Sequence, residues 1–220
     1  MTETRSELYL VIEAGGGDTE RLGPVLARLR PASVLIAPRP GEALDAASAG
    51  PLVKAVQAAG VAAVLLDDAR LARTLKADGV HLVWTRDVAD RYRDARELLG
   101  ARFIVGADAG KSRHDAMTLG EAGADYVGFG VPPGVSDLEG ARARRADLVQ
   151  WWSEIFEVPC VAFDVGTAVE AAELTRLGAD FIGVRIAAGQ TIAAEQDRLA
   201  EIAGAIAGSA TGAGAPAGVA

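Results

Sequence analysis

The sequence predicts a single (β/α)8 TIM barrel, an α/β fold. Three observations carry that reading. Eight short apolar runs are spaced along the chain, and each is followed by an amphipathic, helix-compatible stretch. Several of the runs lack polar alternation, which is how strands buried on both faces of a parallel sheet read. The length, 220 residues, suits one barrel, because this architecture takes roughly 200–250 residues as one domain. A doubly wound open sheet is the main alternative, but eight strands is many for it.

Taken in order, residues 8–12 are the first strand, and a helix over 19–30 follows behind Asp18, a plausible N-cap. Strand two is 33–37, with a helix over 51–59 stopping at Gly60. Strand three is 62–66, with a short helix over 70–76. Strand four is 80–84, and its helix over 87–99 stops at Gly100. Strand five is 103–105, and Ser112 caps a helix ending near Gly123. Strand six is 126–129, followed by a long loop over 131–140 and a helix over 143–156. Strand seven is 160–163, with a helix over 167–177 that ends at Gly178. Strand eight is 181–186 and the last helix is 191–207. Glycine just past the last turn is the left-handed helix stop. From Gly208 the residues are small and loop-forming, so a barrel over 1–207 and a flexible tail over 208–220 are expected.

A weak repeat supports the alternation. Lys76-Ala77-Asp78-Gly79-Val80, Gly123-Ala124-Asp125-Tyr126-Val127 and Gly178-Ala179-Asp180-Phe181-Ile182 each set a helix stop, a small residue and an aspartate before an apolar strand. One loop chemistry reused on one face explains this. These aspartates are read as structural, since they precede strands and so lie on the stability face of a barrel.

Composition excludes several function classes. A net charge of −8 and a sequence pI near 4.9 argue against a nucleic-acid binder, which would carry a basic patch or stripe. A small anion is still permitted, because a few backbone amides and one arginine hold a phosphate locally. The lone cysteine, Cys160, sits in an apolar run and reads as a reduced, buried thiol. The polar first residues carry no signal-peptide core. No apolar stretch approaches the ~20 residues of a membrane span, so a cytoplasmic protein with no membrane partner is expected.

In a barrel the site lies at the C-terminal strand ends. Those ends deliver Glu13 and the Gly15-Gly16-Gly17 run, Arg39, Asp67 and Asp68, Trp84 to Asp87, Asp108 and Lys111, Asp164 and Gly166, and Arg185 and Gly189. Asp68 and Asp87 could hold Mg²⁺, which takes oxygen ligands and often only one or two carboxylates plus substrate phosphates. The plainer reading is that Asp67 and Asp68 are loop and cap residues of the next helix. Gly166 and Gly189 follow strands seven and eight, where barrels commonly bind phosphate through loop amides. Arg185 interrupts an apolar strand, so it needs a partner or a ligand. Asp164, Asp108 and Glu13 are its candidate partners, and an Asp164–Arg185 pair would count against an anion site. His81, in mid-strand, reads as a satisfied interior histidine and His114 as a surface one. Trp151 and Trp152 share a helix, with one packed inward and the other free for a dimer contact.

Three pieces over residues 63–130 then carry a resemblance. Leu65-Leu66-Asp67-Asp68, Ala77-Asp78-Gly79-Val80-His81-Leu82 and Gly123-Ala124-Asp125-Tyr126-Val127-Gly128-Phe129-Gly130 resemble motifs of the thiamine phosphate synthase family, which includes thiazole tautomerases. Val158-Pro159-Cys160-Val161-Ala162 and Gly178-Ala179-Asp180 are also similar, and the order is right. The resemblance implies a (β/α)8 barrel with a thiamine-pathway role. Family members couple a pyrimidine pyrophosphate to a thiazole phosphate using Mg²⁺, or aromatise the thiazole phosphate. Asp68 matches the strand-three metal aspartate. Arg86 stands at the second, and Asp87 follows one residue late. Ala37-Pro38-Arg39 keeps one cation of the family's Arg-x-Lys. Lys111 replaces the tautomerases' helix-five histidine, allowing one inserted residue. The Thr-x-Thr-Lys after strand six is absent, the strand-seven Gly-Gly is Asp164-Val165, and the serine after strand eight is Ile186.

Two readings follow. In the first, the barrel is an enzyme of this family acting on a phosphorylated heterocycle. Arg39 and Lys111 are its catalytic cations, with Arg39 and Arg185 orienting phosphate. Arg185, Gly166, Gly189 and Trp84 are its ligand contacts, and Asp68 and Asp87 hold Mg²⁺. In the second it is a non-catalytic binding or regulatory barrel that keeps only the fold. The lost cations and amides weigh against the ordinary condensation, because a pyrophosphate leaving group needs concentrated positive charge and donors. A homo-oligomer is compatible with both.

Overall fold

The computed structural model describes residues 6–15, 18–186 and 191–210. Sixteen elements alternate: β1 (Glu7–Glu13), α1 (Asp18–Leu29), β2 (Ser33–Ala37), α2 (Ala46–Ala58), β3 (Ala62–Leu66), α3 (Ala69–Leu75), β4 (Gly79–Leu82), α4 (Val88–Leu99), β5 (Ile104–Asp108), α5 (Arg113–Glu121), β6 (Tyr126–Phe129), α6 (Leu138–Ile155), β7 (Cys160–Ala162), α7 (Ala168–Arg176), β8 (Phe181–Arg185) and α8 (Ile192–Ala210). All neighbouring strands pair in parallel, and β8 returns to β1, closing the barrel. The (β/α)8 reading therefore holds. Among the described residues no helix is long and apolar enough to cross a membrane.

The period-two geometry of the strands sorts their residues into two shells. Leu8, Leu10 and Ile12 of β1, Val34 and Ile36 of β2, and Val127 and Phe129 of β6 point out into the main core shared with the helices. Tyr9, Val11, Leu35, Val64, Tyr126, Val161 and Phe163 point in and form a separate interior cluster. Bulk is matched to bareness inside. Gly106 pairs with Tyr126, and a Cβ on that glycine would lie 2.1 Å from the tyrosine ring. Cys160 is buried among the outward residues, and burial pushes its thiol up to about 12.

The repeated aspartates are structural. Asp78, Asp125 and Asp180 stand just before β4, β6 and β8. Each accepts the backbone amide at or next to the start of the preceding strand: Ala63 at 2.8 Å, Val105 at 2.7 Å and Cys160 at 2.8 Å. One clip, used three times, holds odd and even strands in register.

Several boundaries differ from expectation for local reasons. α2 starts at Ala46, not residue 51, because Asp45 and Ser48 form a reciprocal capping box and Pro51 is accommodated inside the helix. α6 starts at Leu138 because Asp137 caps it through Gly140. β4 ends at Leu82, short of Trp84. The Val83 amide donates to Asp67 and its carbonyl accepts from Arg91, so side chains take the groups a ladder would use. β5 runs on to Asp108. α8 continues through Gly208 and Ser209 to Ala210, while residues 211–220 of the expected tail lie outside the described residues.

Candidate functional site

Parallel strands all end at the same rim, so their C-terminal side chains converge. Here they enclose a cavity of about 1020 Å³. Its walls take Val11 from β1, Leu35 and Ala37 from β2, His81 from β4, Asp108 from β5, Phe163 and Asp164 just past β7, and Arg185 from β8. Trp84, the Gly110-Lys111-Ser112 segment and residues 130–133 close the sides.

Of the residues expected at the site, Trp84, Lys111 and Arg185 line this cavity, whereas Arg39, Asp68, Asp87 and Gly166 do not. Gly189 lies outside the described residues. Trp84 is 44% exposed and forms a wall, not a plug. Its ring lies against Gly110, where a Cβ would come within 2.7 Å of it, and its Nε1 donates to Asp115 at 2.9 Å. Lys111 stands directly before Ser112, the N-cap of α5, and makes no hydrogen bond or ion pair among the described residues. Arg39 packs its guanidinium over Gly15, on which a Cβ would fall 1.9 Å from Cζ.

The expected phosphate corner is organised around the chain's own carboxylates. Arg185 pairs with Glu13 at 3.1 Å, so of its candidate partners it takes Glu13 and not Asp164. Asp164 instead accepts the Val131 amide at 2.9 Å. The Gly166 amide, the expected phosphate donor, donates to Glu170 at 2.8 Å. Glu170 is also held by the buried Arg145, and by Arg142 at 3.3 Å. Desolvation opposes ionisation of Glu170, but the Gly166 amide and Arg145 outweigh it and hold the carboxyl below its ordinary value.

The two proposed metal ligands are turned to local tasks. Asp68 caps α3 by accepting the Leu71 amide at 2.8 Å. Asp87 precedes α4 without a side-chain cap bond, and hydrogen bonding from Thr85 holds it below its ordinary value. Asp67, with φ of 62°, is committed to Val83 and to Arg91 at 2.5 Å. Among the described residues no group of three His, Cys, Asp or Glu side chains could hold a metal ion. The arrangement does not fit Mg²⁺ on Asp68 and Asp87 facing the cavity.

His81 and Asp108 form the floor of the cavity. His81 is interior and bonded, as expected, but it also faces the cavity. A polar string crosses the barrel. The Tyr9 and Tyr126 hydroxyls lie 2.9 Å apart, Tyr126 reaches His81 Nδ1 at 3.0 Å, and His81 Nε2 stands 3.8 Å from Asp108. Burial raises both tyrosines above their ordinary range, so they stay neutral. Burial also raises Asp164, partly offset by the Val131 amide, and the nearby Asp108 charge adds to the rise. An available signal was the inward period of β5: Ile104, Gly106 and then Asp108 put a carboxylate on the inner face of a buried strand.

Residues 19–188 match the family model described as thiamine monophosphate synthase. The thiamine-phosphate synthase of Erythrobacter litoralis is 38% identical over 191 residues, covering 83% of this chain and 88% of that one. That of Rhodospirillum centenum is 44% identical over 129 residues, covering 59% of this chain and 61% of that one. Among solved structures, thiamine phosphate pyrophosphorylase from Pyrococcus furiosus superposes with a TM-score of 0.70 at 19% identity, covering 94% of this chain and 98% of that one. Tryptophan synthase of Mycobacterium tuberculosis reaches a TM-score of 0.72 at 17% identity, covering 93% of each chain. At these identities the structural likeness is one of fold.

Proposed function

The chain belongs to the thiamine monophosphate synthase family, whose relatives support a thiamine-pathway role, and from that premise we propose that its barrel mouth binds a phosphorylated heterocycle. The observation that carries this is the placement of Lys111 and Trp84 on one cavity. Lys111, beside the N-terminus of α5, offers a cation where the helix end adds positive potential. Trp84 offers a broad, half-open ring face against which a heterocycle stacks.

Ordinary Mg²⁺-assisted condensation through Asp68 and Asp87 is left out of this reading. Both carboxylates serve their own loops, and the amides at the phosphate corner are taken by Glu170 and Asp164. Those two intrachain contacts favour the second reading, a binding barrel without condensing activity. We infer a cytoplasmic setting for this ligand site.

The test is to give the purified protein pyrimidine pyrophosphate and thiazole phosphate with Mg²⁺ and follow thiamine phosphate. The expected result is a thermal shift with thiazole phosphate and no thiamine phosphate. Product formation that disappears on Asp68→Ala overturns the non-condensing reading. No shift with either phosphate compound, together with no product, overturns the binding site itself.

A further inference from the structure

We propose that Arg91 is the positioning residue for Trp84, setting one face of its ring into the cavity wall ready for a ligand. The inference rests on the cavity being the ligand site, and it adds the group that fixes the stacking face in advance of binding.

Trp84 lies in the connection between β4, which ends at Leu82, and α4, which starts at Val88. It belongs to neither element, so regular structure does not fix its backbone. One guanidinium grips the residues on both sides of it instead. Arg91 Nη1 donates to the Val83 carbonyl at 3.2 Å and to the Thr85 hydroxyl oxygen at 3.3 Å. Its Nη2 donates to Asp67 Oδ1 at 2.5 Å, and the same oxygen accepts the Val83 amide at 3.1 Å. Asp67 is itself anchored to β4, because its amide donates to the His81 carbonyl at 2.8 Å. A planar fork of several donors suits this grip, whereas a lysine point charge would not span it. Only 26% of the Arg91 side chain is exposed, so these bonds are partly shielded from water.

The ring is fixed at two further points. Its Nε1 donates to Asp115 at 2.9 Å. One face lies on Gly110, where a Cβ would meet Cγ, Cδ1 and Cδ2 at 2.7, 2.8 and 2.9 Å. Three near-equal distances of that size put the Cβ position over the plane of the five-membered ring, not at its edge. Gly110 also has a φ of 59°, so backbone and ring contact both call for glycine there. The opposite face is the one left for a ligand, and Trp84, 44% exposed on the cavity wall, keeps room for it. Ordering a loose side chain on binding lowers affinity, and a ring already ordered in the free protein avoids that loss. Without the grip, residues 83–87 would carry the ring through several positions.

Full-length protein labelled with 5-fluorotryptophan gives one fluorine resonance for each of its three tryptophans, and Trp84→Phe assigns that of Trp84. In Arg91→Ala the Trp84 resonance should narrow and move towards that of the free amino acid, with those of Trp151 and Trp152 unmoved. Thiazole phosphate, followed by calorimetry, should bind about fivefold more weakly to Arg91→Ala. In a Trp84→Ala background, Arg91→Ala should add no further loss. An unmoved Trp84 resonance in the folded variant, movement of all three resonances, or the same loss with Trp84 already removed overturns the proposal. Should Arg91→Ala fail to fold, Arg91→Lys is read by the same criteria, since it keeps the charge and loses the fork. If Trp84→Ala binds thiazole phosphate as tightly as the parent, the stacking reading falls, and the displaced or unmoved Trp84 resonance alone decides whether Arg91 positions the ring.

Discussion

Single aspartates do very different jobs in this barrel, and environment decides which. Asp125 is a clip: it accepts the Val105 amide and pairs with Arg96, which itself reaches the Phe103 carbonyl. Asp125→Ala should lower stability by about 1–3 kcal/mol, since a strand amide loses its partner. Denaturant unfolding measures this, and the cavity at the other end of the barrel should keep its ligand affinity. Asp164 is an exposed residue at the cavity wall whose partly desolvated carboxyl is held above its ordinary value. The folded state therefore binds its proton more readily than the unfolded chain, and this group favours folding more as pH falls. Asparagine mimics the protonated form, still accepts the Val131 amide, and tolerates the left-handed backbone at φ of 60°. Asp164→Asn should be more stable than the parent at neutral pH, with the gap closing as pH falls through the raised folded value and gone below about pH 4, the unfolded carboxyl value. A less stable variant with a widening gap would contradict the burial argument.

At the scale of elements, Glu170 shows the opposite sign. It joins α7, the loop after β7 and α6, through the Gly166 amide and Arg145. Its folded value is depressed, so its contribution is present above the unfolded carboxyl value and is lost as pH falls through the folded one. Glu170→Gln should therefore cost stability at pH 7, and the cost should shrink in acid, read from unfolding curves between about pH 7 and 3. Element identity was legible in the sequence because apolar runs and glycine stops report burial and backbone geometry directly. The capping box at Asp45 and Ser48 was also legible in principle, but Pro51 drew the helix start towards itself. Side-chain commitments were not legible. Nothing local says that the Gly166 amide turns to Glu170, or that Arg185 chooses Glu13 over Asp164. Those choices depend on which strands become neighbours. The same limit hid the floor: His81 and Asp108 lie 27 residues apart and meet only because β4 pairs with β5.

For the whole molecule, the closed sheet turns a modest set of side chains into one cavity with a sided chemistry. Trp84 and Lys111 stand towards the rim loops, and Asp108, His81 and Asp164 project from the strand ends. A net charge of −8 does not prevent anion binding, because Lys111 is placed where the cavity wall and a helix end act together. Mg²⁺ chemistry would need carboxylates aimed inward at the mouth, and Asp68 and Asp87 serve the loops that bear them. The most direct test is calorimetric titration of the protein with thiazole phosphate, with and without Mg²⁺, for the parent, Lys111→Ala and Asp68→Ala. Binding that is indifferent to Mg²⁺ and to Asp68→Ala, and at least tenfold weaker in Lys111→Ala, is the predicted result. Binding that requires Mg²⁺ and collapses in Asp68→Ala, with Lys111→Ala unchanged, would contradict it.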